Sequence, residues 1–255
     1  MYPIALQFGN FAIRWYGVMA AVGFLLGSWV IYSNRKRLDI SEDRCSGVLL
    51  TAMISGIVGA RIFYVVQFFE HYRGNLFNII RIDQGGLVFY GGFILAIFSI
   101  LVYCRIYKID FVRLLDFFAP AIAIAHACGR IGCFLNGCCF GRPANGFFSV
   151  TYPANSAPQL KYPGCSLAPV QLYEAAENII LFFIFFQLCR KTKRGVAMSS
   201  YLIAYGVLRF INECWRGDNP KIWGLLTPAQ LIGTILIPAG TIMLIYFIRH
   251  ERKNS

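Results

Sequence analysis

Charge is scarce in this chain. Only 14% of its 255 residues are Asp, Glu, Lys or Arg, where a soluble domain carries about a quarter. A soluble globular class is therefore disfavoured. Acid is scarcer still, with 12 acidic residues against 24 basic ones and a formal net charge of +12. Such an excess raises nucleic acid as a partner, but the lysines and arginines sit in short clusters between apolar runs rather than along one soluble face. No nucleic-acid role is expected. The N-terminal MYPIALQFGNFAIR lacks both a basic n-region and a small-residue cleavage site, so it reads as uncleaved rather than as a signal peptide. No internal repeat, low-complexity tract or second domain is visible, and residues 1–255 read as a single polytopic membrane domain.

What the chain has instead is apolar length. Hydrophobic residues make up 57% of it. About seven helical spans can be placed, at 15–33, 46–67, 87–104, 111–128, 172–189, 196–213 and 226–248, each near the roughly 20 residues needed to cross the hydrocarbon core. The connections alternate in charge. NRKRLD follows span one, CRIYKID span three, RKTKRG span five and RHERKNS span seven. The positive-inside rule puts these four in the cytoplasm and the N-terminus outside. The expected fold is an all-α integral membrane protein with a cytoplasmic C-terminus and outward connections at 68–86, 129–171 and 214–225.

Against this background the polar residues of the spans stand out, because ionisable groups at membrane depth are expensive and default to function. Arg61 lies in SGIVGARIFYV, where Ser55, Gly56, Gly59 and Ala60 allow close helix approach. Gln171, Glu174 and Glu177 open span five, and Arg209, Glu213 and Arg216 share one face at the outer end of span six. Buried ion pairs that fix helix register would account for some of these. Yet Arg61, Arg130, Arg142, Arg209 and Arg216 outnumber the nearby acids, and the planar arginine fork suits phosphate oxygens. A phospholipid headgroup site follows.

The stretch HACGRIGCFLNGCCFGR, residues 126–142, opens the longest outward segment. Its glycines allow tight turns and close approach to a ligand. His126 and Arg130 share a face if span four runs on through Gly129, although His126 could equally be a satisfied core histidine. Asn136 adds a neutral polar group. Cys128, Cys133, Cys138 and Cys139 fit no two-pair zinc spacing, so no metal and no cofactor are expected. A disulfide among them is compatible with an oxidising outer compartment. The total of nine cysteines does not itself fix the redox compartment.

GRIGCFLNGCCFGR resembles the signature of bacterial phosphatidylglycerol–prolipoprotein diacylglyceryl transferases, which commonly reads G-R-I-G-N-F-I-N-G-E-x-W-G-R. RWYGVM, GARIFYV, GGLVFYGG, PVQLYE and RFINECWRGD fall in the family's order, so the resemblance covers nearly the whole chain. It implies transfer of a diacylglyceryl group from phosphatidylglycerol to the lipobox cysteine of a prolipoprotein, forming a thioether and releasing glycerol phosphate. It also implies a multi-pass protein of the bacterial cytoplasmic (inner) membrane, with its active site towards the outer leaflet.

Carried over by position, the resemblance gives Arg130 the lipid phosphate and Arg216 its support or the leaving group. Tyr16, Asn136, Gly141, Gln171, Tyr173, Glu174 and Glu213 complete the site, and Arg61 joins the lipid-binding set. The departures are Cys133 and Cys138 in place of asparagine and glutamate, and Tyr90 where family members often carry a histidine. A tyrosine near pKa 10 is a poor base at neutral pH, so His126 becomes the candidate proton acceptor. Arginines alone could instead lower the substrate thiol's pKa. A paralogue with another acceptor, or a non-catalytic lipid-binding protein, would be the alternative use of the same scaffold.

Overall fold

The computed structural model describes residues 3–9, 11–81, 85–219 and 225–252. Among them are eight α-helices and one hairpin. The hairpin pairs β1 (Ile4–Phe8) with β2 (Phe11–Arg14), and Gly9 at φ +57° takes the left-handed conformation next to the reversal. No strand was expected at this end. An alternating segment this short leaves no period longer than that of a tight turn.

The helices are α1 (Trp15–Ser33), α2 (Glu42–Gln67), α3 (Phe89–Ile106), α4 (Phe111–Asn136), α5 (Ala157–Lys161), α6 (Val170–Lys191), α7 (Val196–Trp215) and α8 (Pro228–Arg252). All but the short α5 coincide with an expected span. Six of them, α1 to α4, α6 and α8, are long and apolar enough to cross a membrane. Helix α7 forms where span six was placed but falls short of that apolarity. The protein is thus an all-α membrane protein with six candidate spans.

The chain divides into two compact units, Tyr32–Leu114 and a second made of Met1–Ile31 with Leu115–Ser255. Within Tyr32–Leu114, Ser41 caps α2 by accepting from the Arg44 N–H, with Glu42 and Asp43 in the first turn where the helix dipole favours acid. Helices α2 and α3 then meet through backbone. A Cβ on Gly59 would stand 2.5 Å from the Gly91 carbonyl oxygen, and one on Gly92 would stand 2.6 Å from that of Gly56. Small residues replace the hydrophobic effect as the means of association between helices in lipid.

In the other unit α1 lies on α4 by the same device, with Gly23 and Gly27 against Ala125 and Ala121. The fully buried Asp116 of α4 accepts from the backbone N–H groups of Gly195 (2.7 Å) and Met198 (3.0 Å) at the start of α7. Helix α4 does not stop at residue 128 but runs on to Asn136. There it ends in a left-handed cap: the Gly137 N–H reaches the Phe134 carbonyl and the Cys138 N–H reaches that of Cys133, with Gly137 at φ +72°. The segment beyond is a folded cap rather than a loose loop. Phe140, Tyr152 and Leu167 form its core, and Val150 and Leu167 exchange backbone hydrogen bonds.

Candidate active site

The extension of α4 decides the site. With the helix continuous through Gly129, His126 and Arg130 stand one turn apart on one face, and the Arg130 Nε–H donates to His126 Nε2 at 2.9 Å. Glu174 of α6 brings Oε2 to 2.8 Å from the same Nε. Its other oxygen lies 3.3 Å from Arg209 of α7, whose second terminal nitrogen is 3.4 Å from Glu213. Glu174 is 2% exposed and Arg130 8%. Breaking such a buried chain by deleting one partner leaves an uncompensated charge.

The chain of pairs holds Arg130 by one edge only. Among the described residues its Nη1 and Nη2 have no hydrogen-bond partner, so the fork that suits two phosphate oxygens is presented free. Arg216, buried just past the end of α7, is engaged differently. Nε and Nη2 donate to Asp218 Oδ1 and Oδ2 at 2.9 and 2.8 Å. Burial works against its charge, but this bidentate carboxylate, with Cys139 and Glu213 nearby, keeps it firmly protonated. The sequence reading counted more arginines than acids here. Asp218, two residues past Arg216 in CWRGD, was the acid left out of that count.

The cap segment is fastened to this end of α7. Gly141 bridges Arg216 in antiparallel fashion, Arg142 N–H reaches the Trp215 carbonyl, and Arg142 Nε donates to the Arg216 carbonyl at 3.1 Å. Gly141 has no room for a side chain, because a Cβ would stand 2.4 Å from the Ala168 carbonyl oxygen. Gln171, fully buried at the start of α6, donates to the Cys138 carbonyl (2.8 Å) and to the Tyr152 hydroxyl (3.1 Å). Burial pushes the Tyr152 phenol above its usual range, while the Gln171 bond opposes this. Nothing in the sequence singled out Tyr152.

The remaining expected residues distribute unevenly. Tyr16 is brought to the α4 end by close helix approach, for a Cβ on Gly132 would lie 3.3 Å from its Cα. Asn136 is the half-buried last residue of α4 and Tyr173 is half-exposed on α6. Glu213 is buried, with its Oε1 accepting from Asn219. Tyr90 is exposed in the first turn of α3, in the other unit. Arg61, also in that unit, donates all five of its N–H groups to carbonyls: Ile79 through Nε, Gly85 and Gly86 through Nη1, and Asn78 and Arg81 through Nη2, at 2.7–3.1 Å. Helix α2 thereby straps down the segment before α3.

The sequence profile described as "Prolipoprotein diacylglyceryl transferase" matches residues 3–246. The chain belongs to that family. It is 36% identical over 255 residues to the phosphatidylglycerol–prolipoprotein diacylglyceryl transferase of Clostridium botulinum strain 657, covering 100% of both chains. The enzyme of that name from Finegoldia magna is 35% identical over 254 residues, 99% of this chain and 98% of its own. That from Lactobacillus acidophilus is 33% identical over 249 residues, 96% and 89% respectively. The chain is therefore a multi-pass transferase of lipoprotein biosynthesis, and the ion-paired end of α4, α6 and α7 belongs to an enzyme that moves a diacylglyceryl group.

Proposed function

We propose that phosphatidylglycerol is the donor and a prolipoprotein lipobox cysteine the acceptor, with the lipid phosphate seated on the free Nη edge of Arg130. The observation that carries this is the one-sided grip on Arg130: His126 and Glu174 hold Nε, so the fork is oriented before substrate arrives. Preorganised donors of this kind are the largest single contribution in many enzymes.

In the reaction the substrate thiolate attacks the glycerol carbon that bears the phosphate. The carbon–sulfur bond forms as the carbon–oxygen bond breaks, and glycerol phosphate departs with the electron pair. Arg130 stabilises the charge gathering on the departing phosphate. Arg216, held by its own carboxylate Asp218, supports the leaving group. Gln171, Gly141 and Asn136 shape the cap side, Tyr16 and Tyr173 border the lipid, and Glu174 and Glu213 hold the arginines in register.

The geometry favours His126 as a positioning residue rather than as the base. A neutral imidazole that accepts at Nε2 carries its proton at Nδ1, so its free nitrogen is a donor. The thiol proton then passes to solvent water, and the arginine field holds the thiolate that remains, since nearby cations stabilise that form. The exposed Tyr90 of α3 has no base to replace it. Arg61, with every donor satisfied, supports its unit's backbone in preference to a headgroup.

The chain is further proposed to cross the bacterial inner membrane seven times, N-terminus outside, with this site towards the outer leaflet. The charge alternation of the connections supports that orientation.

The test uses purified protein in phosphatidylglycerol micelles with a synthetic lipobox peptide, read by the mass gained at the peptide cysteine. Arg130→Ala should lower transfer by about 10²–10³-fold, the cost of removing one preorganised donor. Arg130→Lys should recover little, because a point charge does not replace a fork. Transfer at the wild-type rate by Arg130→Ala would refute the assignment.

A further inference from the structure

Cys133, Cys138 and Cys139 have no place in the transfer chemistry described above. Their three sulfur atoms nevertheless lie within 4.8 Å of one another. The fold explains the gathering. The left-handed cap that ends α4 makes Cys138 the residue whose N–H returns to the Cys133 carbonyl, at 3.1 Å, and in that motif these two side chains meet. Cys139 follows at φ +61°, a conformation rare outside glycine that turns its sulfur back onto the pair and persists only where the surroundings impose it. A C-x4-C-C spacing is thus converted into a three-sulfur face by one helix terminus.

We infer that this face is a trigonal thiolate site for one soft, thiophilic cation of the zinc or copper(I) class. A metal–sulfur bond of about 2.3 Å places three ligand sulfurs about 3.8–4.0 Å apart, within the span the cluster already has. Soft thiolates select such ions over magnesium or calcium. The electrostatics agree. Three thiolates around a divalent ion leave one net negative charge, and Arg216 and Arg130 both act on Cys139. Binding replaces the three S–H protons, which leave to solvent. Tyr16 stands within the field of all three sulfurs. The inference concerns binding alone and does not depend on which lipid Arg130 takes.

The full chain, purified in detergent with its thiols reduced, is titrated with cadmium as the spectroscopic probe and then with zinc as competitor. One cadmium per chain, with thiolate-to-metal charge-transfer absorption displaced by zinc, is the expected result. Cys133→Ser, Cys138→Ser and Cys139→Ser should each weaken binding by at least tenfold, and the triple variant should lose the band. The thermal melting curve of each metal-free variant shows that it is folded. An unchanged band in the folded triple variant would assign the metal to the other six cysteines and overturn the site. So would a disulfide between two of the three sulfurs in protein taken directly from membranes under non-reducing conditions.

Discussion

His126 and Arg130 differ by four in the sequence, and that spacing alone placed them on a common face. Which atom serves which purpose came only from the Nε–H to Nε2 bond of 2.9 Å. If His126 positions Arg130, His126→Gln, which still offers an acceptor, should retain most single-turnover transfer with an unchanged pH profile. His126→Ala should raise the KM for the lipid more than it lowers kcat. A pH profile that loses one ionisation in His126→Gln would return the histidine to the role of base. Gly141 offers a second residue-scale expectation. Its added methyl would meet the Ala168 carbonyl at 2.4 Å and Val170 at 2.7 Å, so Gly141→Ala should destabilise by about 1–3 kcal/mol through overpacking. A lowered melting temperature together with weakened transfer would show it. The acids and arginines of this site were legible as a charged set, but the Asp218 fork on Arg216 was not, because a pair at i and i+2 does not share a helix face and meets only once the helix has ended, here at Trp215. The cysteine trio was equally hidden. Its members become neighbours through a cap whose signal was Gly137, a residue read merely as a turn.

At the scale of the elements, the expected spans recovered all seven long helices, because an apolar run of about 20 residues leaves little choice. The ends were less legible. Helix α4 outran its expected end at residue 128 by eight residues, to Asn136, past glycines that were read as allowing tight turns. Gly132 lies under Tyr16 and Met19 of α1, and that close packing repays the flexibility a glycine brings to a helix. Asp116 drew no notice as a sequence feature, being one acid in an apolar run. It joins α4 to the start of α7 through two backbone N–H groups, 2.7 and 3.0 Å away. Asp116→Ala leaves those donors buried without their acceptor and should cost about 1–3 kcal/mol. Thermal unfolding in detergent reads the loss, and Asp116→Asn, which keeps one acceptor oxygen, should recover part of it. Equal stability of Asp116→Ala and wild type would show that the two N–H groups find other partners.

For the whole molecule the outstanding question is one of parity. Six helices meet the apolarity of a span and α7 does not, yet α7 carries Arg209, Asn212 and Glu213 on its polar face. Those side chains are engaged from within: Arg209 lies against Glu174 and Glu213, and Asn212 donates to Glu177. A helix whose charges are paired inside a bundle presents only its apolar face to lipid, so its mean hydropathy understates its fitness to cross. If α7 crosses, the chain passes seven times and its two ends lie on opposite sides. If it does not, six crossings return the C-terminus to the side of the N-terminus. RHERKNS at the C-terminal end is basic, which favours the cytoplasm. A fluorescent protein that folds only in the cytoplasm, fused after residue 255, should therefore be bright, and a phosphatase active only outside should be silent there. Truncation after residue 219 should exchange the two signals, because the fusion would then follow an even number of crossings from the outer side. Brightness after residue 219 with phosphatase activity after residue 255 would mean that α7 lies along the membrane, and the pairing of Arg209 with Glu174 would then have to be made at the membrane surface.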